Sequence, residues 1–480
     1  MEEAKLLEIL QTEYQYPSFR PGQVETLQKL LNNEATLAVL PTGTGKSLCY
    51  QLYQRIQRKT VLIISPLISL MQDQVEQLKY LGDKKVVALN SQLSYAERQY
   101  VMQHLSMYDF IYMSPEMLQN QDIFPLIRKL NLGLLVIDEA HCISQWGPDF
   151  RPDYLELGRL KKQLGNPLTL ALTATATTKV TQDILENLEL NPANIVRCSV
   201  DRPNIYLDVK EVTDDQAKQD LLVEMVQNLQ GPGLIYFSSK RKAEEISALL
   251  NAQTNLRVAT YHADLGLEQR YMIQHQFLDD ELDIICATSA FGMGVNKKNI
   301  RYVLHYHYPS DLESYVQEIG RAGRDGQQSY AGLIYAKQDY NLQVNLLEKT
   351  IPDQNEIRYY SQNPELITAD SPERIQLIQH LLAKKQTEEQ ILQYFKQRRN
   401  EKYQGIAGMI TYLTSDGCKR DEILSYFGEE KQTQKPRYCC CETSVSYEQL
   451  GLMHQSDAQK LSVQPIATYQ DVLAKLFKTK

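Results

Sequence analysis

A surplus of basic charge is the plainest thing this sequence lacks: 51 Lys and Arg stand against 59 Asp and Glu in 480 residues, a formal charge of −8. With a pI near 5.7, the chain is excluded as a passive basic coat for nucleic acid, a role that goes with a pI above roughly 9. Long hydrophobic runs are missing too. The best candidate, residues 61–70, is broken by Pro66 and falls short of the ~20 apolar residues that span a bilayer, so no membrane partner is expected. Cysteines are few and mostly scattered, at Cys49, Cys142, Cys198, Cys286 and Cys418, before the run Cys439, Cys440, Cys441. A disulfide framework belongs to a short secreted chain with a signal peptide, whereas this N-terminus is acidic and amphipathic. The expected setting is intracellular and reduced. Tryptophan is all but absent, which makes the place of the single Trp146 informative.

What is present is an ordinary globular composition, 43% hydrophobic and 23% charged, and at ~100–200 residues per domain the length allows about three domains. From Leu37 to about Val200, short β-branched runs alternate with helical stretches (TLAVL, VLIIS, VVALN, DFIYMS, LLVID, LTLALTAT). Such alternation is the pattern of an α/β unit with a parallel sheet covered on both faces. It restarts after the polar stretch EVTDDQAKQD, with GLIYFSS, RVATYHA, LDIICATS, YVLHYHYP and AGLIYAK. Beyond about Gln343 helical periodicity takes over. The expected fold class is therefore α/β, with a first unit over 1–205, a second over 206–345, a small helical region over 346–448 and a tail over 449–480. Residues 351–480 carry 17 basic and 17 acidic side chains, so the whole negative balance lies in the two α/β units.

One strand, TLAVL, runs directly into Pro41, Thr42, Gly43, Thr44, Gly45, Lys46 and Ser47, followed by helical LCYQLYQRI. In such a turn the backbone N–H groups and the helix N-terminus converge on a phosphate, Lys46 reaches the β- and γ-phosphates, and the Ser47 hydroxyl takes Mg²⁺. The general pattern wants another Gly where this chain has Leu40. A second strand, LLVID, ends in Asp138 and Glu139. A carboxylate there holds Mg²⁺ and the next orients or deprotonates a water. Together the two motifs point to a nucleoside triphosphatase, where either alone would also fit a glycine turn or a helix cap.

The order YPSFRPGQ, PTGTGKS, SPLISLMQDQ, DEAH, CISQWGPDFRPDY, LTATAT, ATSAFGMGV and QEIGRAGRDG resembles the RecQ family of superfamily 2 DNA helicases, over roughly residues 14–427. The resemblance implies two tandem RecA-like domains, an ATP-dependent DNA 3′–5′ helicase of repair or recombination, and a cytoplasmic, nucleoid-associated setting. It implies that Tyr16 stacks on adenine while Arg20 and Gln23 contact the nucleotide. By resemblance Arg321 and Arg324, with Gln317 in the same helical stretch, are arginine fingers reaching across the inter-domain cleft. Such a finger is worth ~10³ to 10⁵ in rate in related phosphoryl transfers.

An aromatic face on a Pro- and Gly-bearing loop can stack on unpaired bases. The family's coupling role accordingly falls on Trp146, Phe150 and Arg151. Thr173 and Thr175 carry a coupling role by resemblance, and Ser238, Lys240 and Thr288, with Ser239, Ser289 and Arg270, suit phosphate-backbone contacts. The expected partners are single-stranded DNA and tailed or branched duplexes, with a single-stranded-DNA-binding protein as a further candidate. The family usually has Asp where this chain has Asn296.

The stretch from Cys418 to Gly428 resembles the start of the family's zinc-binding subdomain, whose further ligands would have to be Cys439, Cys440 and Cys441. Four cysteines suffice for a tetrahedral zinc site with Zn–S near 2.3 Å, yet neighbouring side chains diverge. Zinc and a degenerate, metal-free helical subdomain both stand open. The remaining residues are too few for the winged helix of longer relatives. Two other readings stay in view: an RNA helicase or non-unwinding translocase, and a nucleotide-gated clamp without turnover, which would be expected to have lost Lys46, Glu139 or an arginine finger.

Overall fold

The computed structural model describes residues 3–144, 152–292, 297–368, 370–441 and 445–454. Trp146, Phe150, Arg151 and Asn296, singled out above, lie outside the described residues, as does most of the expected tail.

The first unit is a seven-stranded sheet built from β1 (Thr36–Val39), β2 (Thr60–Ile64), β3 (Val86–Leu89), β4 (Phe110–Met113), β5 (Leu132–Ile137), β6 (Thr169–Thr173) and β7 (Ile195–Arg197). Their order across the sheet is β3-β4-β2-β5-β6-β1-β7, and every pairing is parallel. β2 gives the reason for the uninterrupted apolar runs. Successive strand side chains point to opposite faces, and here Val61 and Ile63 enter one core while Leu62 and Ile64 enter the other. Both faces are covered by helices, so neither parity of position can be polar.

The second unit repeats the plan with β8 (Ile205–Glu211), β9 (Gly233–Tyr236), β10 (Val258–Tyr261), β11 (Ile284–Ala287), β12 (Tyr302–His305) and β13 (Ser329–Tyr335). The order is β10-β11-β9-β12-β13-β8, again wholly parallel. The fold is thus two RecA-like parallel-sheet domains. β7 and β8 were not legible as strands. β7 is three residues long, and β8 is an edge strand whose buried start Ile205, Tyr206, Leu207 gives way to the exposed Lys210 and Glu211, so it reads as polar linker. Asp214, within that polar stretch, caps the helix Asp215–Asn228 by accepting from the Ala217 N–H at 2.9 Å.

Helices follow β13, including Gln354–Gln362, Glu373–Ala383, the 27-residue Glu388–Thr414 and Lys419–Tyr426. The long helix serves two cores. Ile391, Phe395 and Ile406 pack within the helical region, whereas Met409, Tyr412 and Leu413 join Tyr315 and Val316 in a core of the second domain. Across to the first domain run two ion pairs, Lys179–Glu401 at 2.7 Å and Lys384–Glu156 at 2.6 Å. No described helix is long and apolar enough to cross a membrane.

Gly233 in the centre of the second sheet exposes how tightly the cores are filled. A Cβ there would lie 2.0 Å from the Tyr302 ring, a buried side chain of the neighbouring strand. Gly233→Ala is expected to cost about 1–3 kcal/mol through overpacking, read as a lower urea midpoint for the second domain with the first unaffected.

Candidate nucleotide site at the domain interface

Sheet order assembles the first half of the site. β6 lies between β1 and β5, so the end of β6 separates the turn after β1 from the acidic pair after β5. The Leu40 N–H donates to the Thr173 carbonyl at 2.9 Å, and the Asp138 N–H to Ile64 at 2.9 Å. Leu40, the departure from the general glycine pattern, is fully buried in the core beneath the turn. There it touches position 22, where a Cβ would meet the Leu40 side chain at 2.4 Å and where φ is +78°, so Gly22 is required on both counts.

The turn itself needs glycine at Gly43 and Gly45, with φ +85° and +70°. Gln23 is 3% exposed and fully engaged. Its amide donates to the carbonyls of Thr44 at 2.7 Å and Gly45 at 3.0 Å and accepts from the Arg20 N–H at 2.8 Å. Reading a base edge would require exchanging the bonds to Thr44 and Gly45. Tyr16 is 42% exposed and Arg20 is exposed, both free to meet a ligand from the solvent side.

Lys46 Nζ lies 4.0 Å from the Glu139 carboxylate, and His141 Nδ1 lies 3.4 Å from it on the other side. Glu139 is held below the ordinary carboxylate range: burial works against it, but Lys46, His141, Arg321 and Arg324 outweigh that cost. Asp138 goes the other way, pushed up to about 7 by burial and by Glu139. A buried acid so raised is a group short of a cation, which is what Mg²⁺ held by Asp138 and the Ser47 hydroxyl would supply. Beneath them runs a buried chain in which His141 Nδ1 meets Thr173 Oγ1 at 3.0 Å, Thr173 donates to the Thr175 carbonyl at 2.9 Å, and Thr175 Oγ1 accepts from Gln317 of the second domain at 3.4 Å. Thr173 and Thr175 are almost wholly buried, so they connect the acidic segment to the second domain and offer nothing to solvent.

The second half arrives from the turn after helix Leu312–Ile319. Thr42 Oγ1 donates to the Gly320 carbonyl at 3.1 Å, and a Cβ on Gly43 would meet Arg324 Cγ at 3.0 Å. Arg321 donates to the Gly292 carbonyl. Arg324 is pushed down to about 9 by burial and by Arg321 and Arg202, as expected of cations crowded where an anion would sit. Two residues that sequence reasoning passed over also sit here. Arg202 donates to the carbonyls of Thr42 and Gly323 at 2.9 and 2.7 Å, and Asn204 donates to Gly323 at 2.9 Å. The sequence shows them only as Asp-Arg-Pro-Asn between two strands, with no spacing that marks a site.

Away from this contact, a cavity of about 2020 Å³ lies between the domains, lined by Ser238, Thr288, Ser289 and Arg270 of the second domain and by Gln72 and Lys179 of the first. Lys240 is not among its lining residues and pairs with Asp264.

In the helical region the sulfurs of Cys418 and Cys439, and of Cys418 and Cys440, lie 3.6 Å apart, and those of Cys439 and Cys440 4.0 Å apart. Sulfurs on a tetrahedral zinc with ~2.3 Å bonds stand ~3.8 Å from one another. The expected divergence of adjacent cysteines therefore does not hold for Cys439 and Cys440. Cys441 is exposed, with its sulfur 3.0 Å from that of Cys439. Among the described residues, Cys418, Cys439 and Cys440 form the one group of three potential ligands within 4.8 Å of one another.

The family model described as DEAD/DEAH box helicase matches residues 20–184, and that described as helicase conserved C-terminal domain matches residues 217–326. The probable ATP-dependent DNA helicase RecS of Bacillus subtilis is 39% identical over 494 residues, spanning 98% of this chain and 98% of its own length. The ATP-dependent DNA helicase RecQ of Haemophilus influenzae is 39% identical over 437 residues, spanning 90% of this chain and 63% of its own. The DUF1998 helicase MrfA, solved with DNA and AMPPNP, matches with a TM-score of 0.59 at 19% identity over 73% of this chain and 53% of its own, a likeness of fold.

The contact between the two halves has no spare room: a Cβ on Gly320 would lie 2.0 Å from Thr42 Oγ1. Gly320→Ala is expected to hold the halves apart and lower ATP turnover by about tenfold or more, since misplacement of reacting groups by ~1 Å can cost up to ~10²-fold. Steady-state hydrolysis, with thermal unfolding unchanged, checks this.

Proposed function

This chain belongs to the RecQ family of ATP-dependent DNA helicases, and from that premise we propose that it translocates 3′ to 5′ on single-stranded DNA and separates tailed or branched duplexes in repair or recombination. The single observation that carries the reading is the meeting of Thr42 and Gly43 with Gly320 and Arg324, which supports a nucleotide site shared by the two domains. The observation bears against a clamp without turnover, because Lys46, Glu139, Arg321 and Arg324 are all retained and converge there. In this reading the chain acts in the cytoplasm on nucleoid DNA, with a single-stranded-DNA-binding protein as a partner.

The geometry supports the following roles. Backbone N–H groups of residues 42–47 cradle the phosphates, and Lys46 neutralises the β- and γ-oxygens. Ser47 and Asp138 would hold Mg²⁺, which when bound neutralises charge on the same oxygens. Glu139, kept ionised by its cationic neighbours, orients and accepts a proton from the attacking water. Arg321 and Arg324 stabilise charge on the transferring phosphoryl group, which ties hydrolysis to closure of the cleft. Single-stranded DNA runs through the cavity, where Ser238, Thr288 and Arg270 hold phosphates and Trp146, with Phe150 and Arg151, reports DNA to the acidic segment next to it in sequence. Backbone contacts predict little sequence preference and strong salt dependence.

An unwinding assay on duplexes with a 3′ or a 5′ single-stranded tail tests the proposal. Strand separation from the 3′ tail, lost in Lys46→Ala, is expected; separation from the 5′ tail alone would overturn the polarity, and stronger stimulation of hydrolysis by single-stranded RNA than by DNA would overturn the substrate.

The cysteine cluster is proposed to hold zinc, with Cys418, Cys439 and Cys440 as ligands and Cys441 completing the set. Metal analysis of the purified protein is expected to find one zinc per chain, reduced severalfold in Cys418→Ser.

A further inference from the structure

The segment joining the two sheets, residues 198–204, stands where a hinge between them would have to lie, and it is held at nearly every residue. From the C-terminal helical region, Glu429 accepts from the Ser199 hydroxyl at 2.5 Å and from the Val200 N–H at 3.0 Å, and Gln432 donates to Asp201 at 2.9 Å. Arg420, a buried side chain of helix Lys419–Tyr426, pairs with Asp201 and donates to the carbonyls of Arg202 at 3.2 Å and Ile205 at 2.8 Å. Breaking a buried pair of this kind is costly because it strands the other charge. The backbone of Arg202 is therefore fixed from behind.

From that anchored position the Arg202 guanidinium reaches forward to four carbonyls. Nη1 donates to Thr42 in the phosphate turn at 2.9 Å and to Gly320 at 3.3 Å, while Nη2 donates to Ala322 at 3.3 Å and Gly323 at 2.7 Å. The last three belong to the turn that follows helix Leu312–Ile319, where carbonyls have no partner within the helix. That same turn carries Arg321 and Arg324. A planar fork with donors in fixed directions can tie several carbonyls at once; a lysine ammonium on a flexible stem cannot hold them in the same register.

We propose that Arg202 is a positioning residue for hydrolysis: anchored by Arg420 of the helical region, it fastens the turn bearing Arg321 and Arg324 to the phosphate turn at Thr42 and so sets where Arg324 stands. The proposal rests on the reading of Arg324 as an arginine finger. It adds that the helical region governs the nucleotide site through the joining segment, by a path of two arginines, without touching the nucleotide.

The test is a double-variant comparison on the full chain, measuring kcat and KM for ATP with saturating single-stranded DNA, affinity for a fluorescent ADP, and thermal unfolding. Arg202→Gln is expected to lower kcat by about 10- to 100-fold with KM and ADP affinity nearly unchanged, the split that marks loss of a transition-state interaction. Combined with Arg324→Ala, it is expected to add less than about threefold to the loss from Arg324→Ala alone, since residues acting as one unit are not additive. Arg202→Lys, which keeps the charge, is expected to stay well below wild-type kcat. Losses that multiply, full kcat in Arg202→Lys, or full kcat in Arg202→Gln would each overturn the positioning role while leaving the finger intact. Full turnover in Arg324→Ala would instead remove the finger, and the Arg202 role with it.

Discussion

The chemistry proposed for this molecule depends on one contact, the approach of the turn at Gly320 to the phosphate turn at Thr42. The first domain gathers Lys46, Asp138 and Glu139 and the second brings Arg321 and Arg324. With the two in contact, Asp138 is pushed up to about 7 by burial and by Glu139, and Arg324 down to about 9 by burial and by Arg321 and Arg202. Each half carries charge that is costly to bury alone. Brought together, the halves lower one another's cost, as the hold of both arginines on Glu139 illustrates. A nucleotide phosphate, anionic and placed between them, would lower it further, so binding and closure favour each other.

The sheets exist to make that contact accurate. Burial on both faces forces nearly continuous apolar strands, and the same runs made the two domains and eleven of their thirteen strands legible in the amino-acid order. Lys46, Asp138 and Glu139 were legible too, because glycine-lysine-serine after a strand and paired acids after another have few other uses. What was hidden follows a pattern. β8 reads as linker because an edge strand has one end in water. Arg202 and Asn204 do their work by donating to backbone carbonyls of a distant turn, and a carbonyl leaves no trace in residue identity. The convergence of Cys439 and Cys440 on Cys418 was hidden because adjacent side chains diverge in regular structure, and these two lie in irregular backbone. Thr173 and Thr175 were found by resemblance, but their burial places them inside the molecule, linking His141 to Gln317.

The acidity of the chain takes on a different meaning beside this arrangement. Net charge governs passive attraction at long range, which salt screens within about 10 Å at ~0.1 M. A motor gripping DNA in the cavity between the two domains, as proposed, would need local donors there, and Ser238, Thr288, Arg270 and Lys179 line it. The helical region closes the circle: it packs into the second domain's core, pairs with the first domain through Lys384 and Glu401, and holds the segment joining the two sheets through Arg420.

The central claim, that the two domains together form one site complementary to the transition state, is tested most directly by binding of ADP with aluminium fluoride, a mimic of the transferring phosphoryl group. The account predicts that the wild-type chain binds this complex far more tightly than ADP, and that Arg324→Ala binds ADP normally but loses most of that extra affinity. Equal retention of the complex by wild type and Arg324→Ala would contradict it.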